Sequence, residues 1–229
     1  MKRSTLVAIG LCLLAVGFSR AAAAQTVPAA GPGRLEVSLG ALWFGQLALG
    51  SNDANETTPT GGNLKIFSTS TDLGSVAGLE ARVGVRLLPS LEAEAEASYG
   101  TPQLKVTITG DIENAPDVTA TESVQQFTIG GGVVWYLPVH PASVRLVPFV
   151  SGGVGHLRQI HEERTSLETG LYYHVGGGVK WLLFARPRGL VNAMGLRVDA
   201  RAVVRTKGVA FDDGGHASPA VGASAFVRF

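Results

Sequence analysis

Apolar and polar residues alternate along most of the chain, and clusters of turn residues interrupt the alternation. In the last stretch Val221, Ala223, Ala225, Val227 and Phe229 share one face, and Gly222, Ser224, Phe226 and Arg228 share the other. Period 2 predicts a strand. The same unit recurs upstream, so strands are predicted over about 35–44, 75–88, 91–100, 123–137, 143–157, 170–184, 194–205 and 219–229. The run Leu91-Glu-Ala-Glu-Ala-Glu-Ala97 has helical propensity. Its strict alternation would leave a helix with no apolar stripe, so it too reads as a strand. Leu104, Val106 and Ile108 read as an extension of that strand beyond Pro102, and the facing of 143–157 is ambiguous.

The connections alternate in length. Long polar stretches cover 45–74, 111–121, 158–168 and 207–218, and shorter turns cover 89–90, 139–142 and 186–193. Eight strands in this order form hairpins whose short turns share one side with both chain termini. A last strand with no second neighbour would be a sticky edge, and pairing it with the first strand removes the edge. The expected fold is all-β: an eight-stranded antiparallel up-and-down transmembrane β-barrel.

The charges suggest which face is inside. One face carries Glu36, Glu80, Glu92, Glu94, Glu96 and Asp199, together with Arg82, Arg86, Lys180, Arg197, Arg201 and Arg228, and Arg205 lies near a strand end. Six acids against six bases suit a narrow lumen in which every charge must be paired. Arg82 and Arg86, on the adjacent strand, are the expected partners of Glu92, Glu94 and Glu96. The opposite face is mainly Ala, Val and Leu, which fits lipid contact. Trp43, Trp135 and Trp181 lie on that face near strand ends, as an aromatic girdle requires. A soluble ligand-holding barrel would need the reverse facing.

The N-terminus adds the compartment. Lys2-Arg3, the apolar run Leu6–Phe18 and the small residues Ala21–Ala24 read as a secretory signal peptide over 1–24. The apolar run is shorter than the ~20 residues of a membrane-spanning helix. Residues 25–33 read as a Pro/Ala/Gly linker and 34–229 as the barrel. The single cysteine, Cys12, falls within the signal. No disulfide, thiolate or Cys metal ligand is therefore expected. Removing the signal takes three of the 19 basic residues and leaves 16 against 18 acidic ones. That balance gives no support to nucleic-acid binding.

The runs Ile129-Gly-Gly-Gly-Val133 and Val175-Gly-Gly-Gly-Val179 repeat one another, and Ser151-Gly-Gly-Val-Gly155 is a weaker copy. Neither full copy is followed by Gly-Lys-Ser/Thr and a helix, so they read as relief of crowding in a curved sheet.

The secretory signal, alternating strands, loop order, glycine-rich middle strands and terminal Ala225-Phe-Val-Arg-Phe229 together resemble the small outer-membrane β-barrels of the OmpA/OmpX type, over about 34–229. The resemblance implies an outer-membrane location in a diderm bacterium. It also implies that Ala225, Val227 and Phe229 form the signal read by the barrel-assembly machinery. Outer-membrane lipid and that machinery are then the expected partners, the barrel is expected to be a monomer, and the stretch 45–74 is the candidate surface for an external ligand.

Some barrels resembling this one are lipid-modifying enzymes, which need a serine activated by histidine. His140, His156, His161, His174 and His216 show no His-x-Ser pair, and His174 is the best inward candidate. His156 and His161 with Glu162 or Glu163 have a spacing that metal ligands use but read as solvated loop groups. No catalytic residue, metal or cofactor is expected. The expected role is structural or surface-interacting through four extracellular loops. A small channel for ions or hydrophobic solutes is the alternative.

Overall fold

The computed structural model describes residues 34–57, 61–110, 116–138, 145–161, 167–186, 189–207 and 215–229. The expected signal peptide, the linker and the 139–142 turn lie outside them. The strands are β1 (Leu35–Phe44), β2 (Leu47–Thr57), β3 (Asn63–Leu73), β4 (Val76–Leu88), β5 (Leu91–Gly100), β6 (Gln103–Thr109), β7 (Val118–Tyr136), β8 (Leu146–His161), β9 (Leu167–Ala185), β10 (Ala193–Lys207) and β11 (Gly215–Arg228).

Eight of these, β1, β4, β5, β7, β8, β9, β10 and β11, pair antiparallel in a closed ring. The closing pair is β1 with β11, in register from Glu36↔Arg228 to Phe44↔Ala220. Phe229 extends the seam: its N–H donates to the Leu35 carbonyl at 2.8 Å, and its own carbonyl accepts from Arg34 at 2.8 Å. The expected eight-stranded antiparallel barrel is therefore observed.

The alternation that predicts each strand also sets its faces. On β10, Arg197, Asp199, Arg201 and Arg205 are buried inside, while Leu196, Val198, Ala200 and Val204 are exposed outside. The uncertain β8 follows the same rule, with Phe149, Ser151, Leu157 and Gln159 inward and Val150, Val154 and His156 outward. Exposed aromatics form two belts. Trp135, Trp181, Phe184 and Phe229 lie near the end with the short turns. Trp43, Tyr99, Phe127 and Tyr173 lie toward the other end. Tyr99 is eight residues beyond Leu91 and Phe127 nine from Tyr136. With a rise of ~3.3 Å per residue and a strand tilt of about 40°, the belts stand roughly 20–25 Å apart. That matches the apolar band of a membrane barrel.

The structure corrects several boundaries. The stretch 45–74 is not a loop: β2 and β3 form a hairpin within it, and together with β6 and the upper part of β7 they make a second sheet in the order β2-β3-β6-β7. Leu104 and Val106 thus belong to this sheet rather than to an extension of β5. The stretch 111–121 gives way to strand from Val118 onward, and 158–168 is strand at both ends. His156 is internal to β8 and His216 belongs to β11. Through most of β2, β3 and the outer ends of β7 to β9 the residues are largely polar on both faces, so the alternation fades while the pairing continues; β6 keeps its alternation, and there it is the pairing with β3 and β7 that local sequence does not record. What remains is Leu47, Leu49, Leu73, Leu104 and Val124, which cluster out of solvent at the base of the second sheet. Gly50, at φ 120°, sits where the β2–β3 register shifts, a bulge conformation that favours glycine.

Candidate functional site: a filled lumen beneath a protruding sheet

The interior is built in layers from alternate residues of all eight barrel strands. Nearest the short turns, Lys180 is 1% exposed and its Nζ lies 2.5 Å from Glu36 Oε1 and 3.4 Å from Glu92 Oε1. Lys180 also donates to the Tyr136 hydroxyl at 2.6 Å, and that hydroxyl donates to Glu92 Oε2 at 2.6 Å. Arg228 pairs with the other oxygen of Glu36. Phe149 and Phe226 flank the ammonium, and Val134, Tyr136, Val147 and Phe149 form an apolar floor. Arg86 is half-buried, with its guanidinium 5.4 Å from the centre of the Tyr136 ring.

The middle layer centres on Asp199. Its carboxylate accepts from Arg82 at 3.0 Å and from Arg197 at 3.1 Å, and Arg201 Nε lies 2.8 Å away. Arg197 also reaches Glu94 at 2.5 Å. Arg201 reaches Glu80 at 2.6 Å and Glu96 at 3.1 Å. Arg82 pairs with Glu80. Glu96 additionally accepts from the Tyr172 hydroxyl at 2.8 Å and lies 3.1 Å from His174 Nε2. Above this, Leu42, Phe44, Tyr172, Val203 and Ala220 close an apolar layer. Arg205 then donates to Gln126 at 3.3 Å, as does Gln159.

All twelve charges predicted for the polar face point inward, and Arg82 meets two of its expected partners, Glu94 and Glu96, although these carboxylates have closer cations on another strand. Arg82 stands opposite Glu96, and Arg86 opposite Glu92, on the adjacent strands. The shortest contacts instead run across the lumen, Glu94 to Arg197 and Glu96 to Arg201. Arg82 lies 3.7 Å from Glu94 and 4.0 Å from Glu96. Tyr136, Tyr172, Gln126 and Gln159 were missed. Their parity would have found them, because Trp135 on the outer face puts Tyr136 inside.

The glycine runs give these side chains room. A Cβ at Gly153 would lie 2.5 Å from His174 Nε2, and one at Gly155 would lie 2.5 Å from the Tyr172 ring. Gly130 also faces the Tyr172 hydroxyl. Gly153→Val is therefore expected to displace His174 from Glu96 and to destabilise the barrel by about 1–3 kcal/mol, read by urea unfolding.

The void left among Glu96, Tyr172, His174 and Arg201 is about 20 Å3. That is room for about one water, not for a solute. Ser98 shares a hydrogen bond with Thr128 at 2.6 Å, while His174 faces Glu96. The side chains of His140, His161, Glu162 and Glu163 lie outside the described residues, so the loop metal set has no geometry to report. Trp43, Trp135 and Trp181 are all exposed on the outer face. Ala225 and Phe229 are exposed on that face too, with Val227 half-buried between them.

Above the lumen, β2 pairs with β3 and has no second strand partner among the described residues. Across this hairpin Asp53 accepts from Ser68 at 2.7 Å and lies 2.9 Å from Lys65. The Ser68 hydrogen bond and the Lys65 ammonium hold its carboxyl below the usual aspartate range. The folded pKa is depressed, so this contribution is present above the unfolded value near 3.8 and is lost as pH falls through the lower folded value. Amide exchange across β2–β3 is expected to quicken in that range, and Asp53→Asn should remove the dependence.

The fold and the lumen define a closed antiparallel eight-stranded barrel with an apolar exterior and a packed, charged interior. Among solved structures, the chain is similar to Neisserial surface protein A, at 14% identity and TM-score 0.49, covering 85% of this chain and 97% of that one. It is also similar to the outer membrane protein OprG from Pseudomonas aeruginosa, at 12% identity and TM-score 0.47, covering 89% and 99%. The attachment invasion locus protein Ail of Yersinia pestis follows at 11% identity and TM-score 0.39, covering 86% and 99%. No family model and no curated protein matches the chain.

Proposed function

We propose that this chain is an integral outer-membrane β-barrel protein, monomeric and non-enzymatic, that anchors a protruding sheet at the cell surface. One observation carries the reading: the barrel wears its apolar face outward and its ion-pair network inward. A soluble barrel has no use for an exterior of Leu, Val and Ala ringed by two aromatic belts. Ala225, Val227 and Phe229 fit the assembly signal, since they lie on that same face of the closing strand. The packed lumen makes the barrel a rigid mount, and mobile or variable contact segments on rigid mounts are where binding concentrates. The β2 strand, single-partnered among the described residues, fits a surface that contacts other molecules.

The test is fractionation followed by gels run with and without boiling. A heat-dependent mobility shift in the outer-membrane fraction is expected, and a soluble periplasmic protein without a shift would sink the proposal. Deleting 47–73 and joining Gln46 to Gly74 should leave the shift intact while abolishing attachment of expressing cells to surfaces or ligands. Unchanged attachment would remove the surface role and leave the barrel. In planar bilayers no stable conductance steps are expected, because an eight-stranded barrel has an interior only wide enough for its own side chains. Large steps would favour a channel.

A further inference from the structure

Among the described outward-facing residues of the eight barrel strands, one carries a formal charge: Arg158 on β8. It stands at the upper limit of the apolar band, where β8 passes from Val150 and Val154 to His156 and Arg158. Residues two apart on a strand share a face, so the imidazole and the guanidinium project together. In register, Arg158 is flanked by Phe127 on β7 and Thr169 on β9. Phe127 in turn packs on Tyr99, with ring centroids 4.7 Å apart.

Directly beneath this polar end the outer wall is hollowed. Ala81 and Ala97 are cross-strand partners, and their short side chains lie between the taller Leu39, Leu79, Tyr99 and Ile129. The resulting groove is about 560 Å3 and almost wholly apolar, and His156, Arg158 and Thr169 line its upper margin. That volume falls in the range of sites that hold one small ligand. A smooth barrel wall in contact with bulk lipid needs neither the hollow nor the single cation.

We infer that this groove is a lipid site: it seats an acyl chain of an outer-leaflet lipid against Ala81 and Ala97 and holds that lipid's anionic phosphate at Arg158, with His156 and Thr169 as further hydrogen-bonding groups. The chemistry follows from the parts. Guanidinium matches phosphate with paired N–H donors, and a basic residue at the membrane interface attracts anionic headgroups. A free phosphate would use the cation and leave the groove unused, so the ligand is a lipid. The inference rests on the outer-membrane reading and adds a ligand class to it.

The experiment uses the purified barrel in neutral detergent, titrated with phosphatidylglycerol or with diacylglycerol of the same chains and read by native mass spectrometry. Gels with and without boiling check each variant for a closed barrel. One phosphatidylglycerol is expected to be retained preferentially over diacylglycerol. Arg158→Gln should weaken that retention about fivefold, Arg158→Lys should restore most of it, and Ala97→Leu should reduce retention of both lipids by filling the hollow. Equal retention of the two lipids, or retention unchanged in both Arg158→Gln and Ala97→Leu with the heat shift intact, would overturn the site alone. Absence of a heat-modifiable barrel in the unsubstituted protein would overturn the outer-membrane reading together with it.

Discussion

Asp199→Ala should destabilise the folded barrel by about 3–5 kcal/mol, the cost of stranding buried charge. Asp199 receives Arg82, Arg197 and Arg201 at 3.0, 3.1 and 2.8 Å, so three guanidinium groups depend on this one carboxylate. Removing it leaves three buried cations at close quarters with less to neutralise them. Urea unfolding of the reconstituted protein, followed by the fluorescence of Trp43, Trp135 and Trp181, would measure the loss. Adding Arg197→Met to Asp199→Ala should recover part of it, because one of the stranded cations is then gone. A loss under about 1 kcal/mol would mean that the lumen is hydrated enough to screen its charges, as exposed pairs are.

Ala200→Arg should cost about 2–4 kcal/mol for a different reason. Ala200 is the next residue along, on the opposite face, opposite Gly177 and Val221 on the neighbouring strands. It lies seven residues above Ala193, near the middle of the apolar band. A guanidinium there loses its water and finds only hydrocarbon. The cost should depend on depth: Ala217→Arg, exposed on β11 opposite Val204 near the upper belt, should cost only about 0–1 kcal/mol. Equal penalties at 200 and 217 would argue against a lipid-facing exterior.

The sequence carried the barrel strands because their two faces meet different media. Along 194–205 every second residue must satisfy lipid and the rest a packed polar interior, and the alternation records both demands. The hairpin within 45–74 meets water on most sides, so Asn52, Asp53 and Asn55 on one strand and Ser68, Thr69 and Ser70 on the other show no alternation. Only Leu47, Leu49 and Leu73 hinted at it. Inward orientation of the charges was legible from parity, but their closest partners were not. Glu94 and Arg197 are 103 positions apart, and their meeting depends on the stagger with which the ring closes. Local alternation holds no record of that stagger. The groove beside Arg158 was equally hidden, since Ala81 and Ala97 look like ordinary lipid-facing residues until their register sets them side by side.

The β1–β11 seam has a bearing on how the molecule forms. Most barrel pairings join neighbouring hairpins, but this one brings together Glu36 and Arg228 across 192 positions. Joining the ends of so long a segment is the slow, entropically opposed step. Until it occurs, Glu36 is separated from Arg228 and β1 and β11 are both unsatisfied edges. The last hydrogen bonds and the last charge neutralisation therefore arrive together. The seam works as a latch: an unclosed chain is a sheet with an unbalanced charge at its margin, and closure converts it in one cooperative event into a ring.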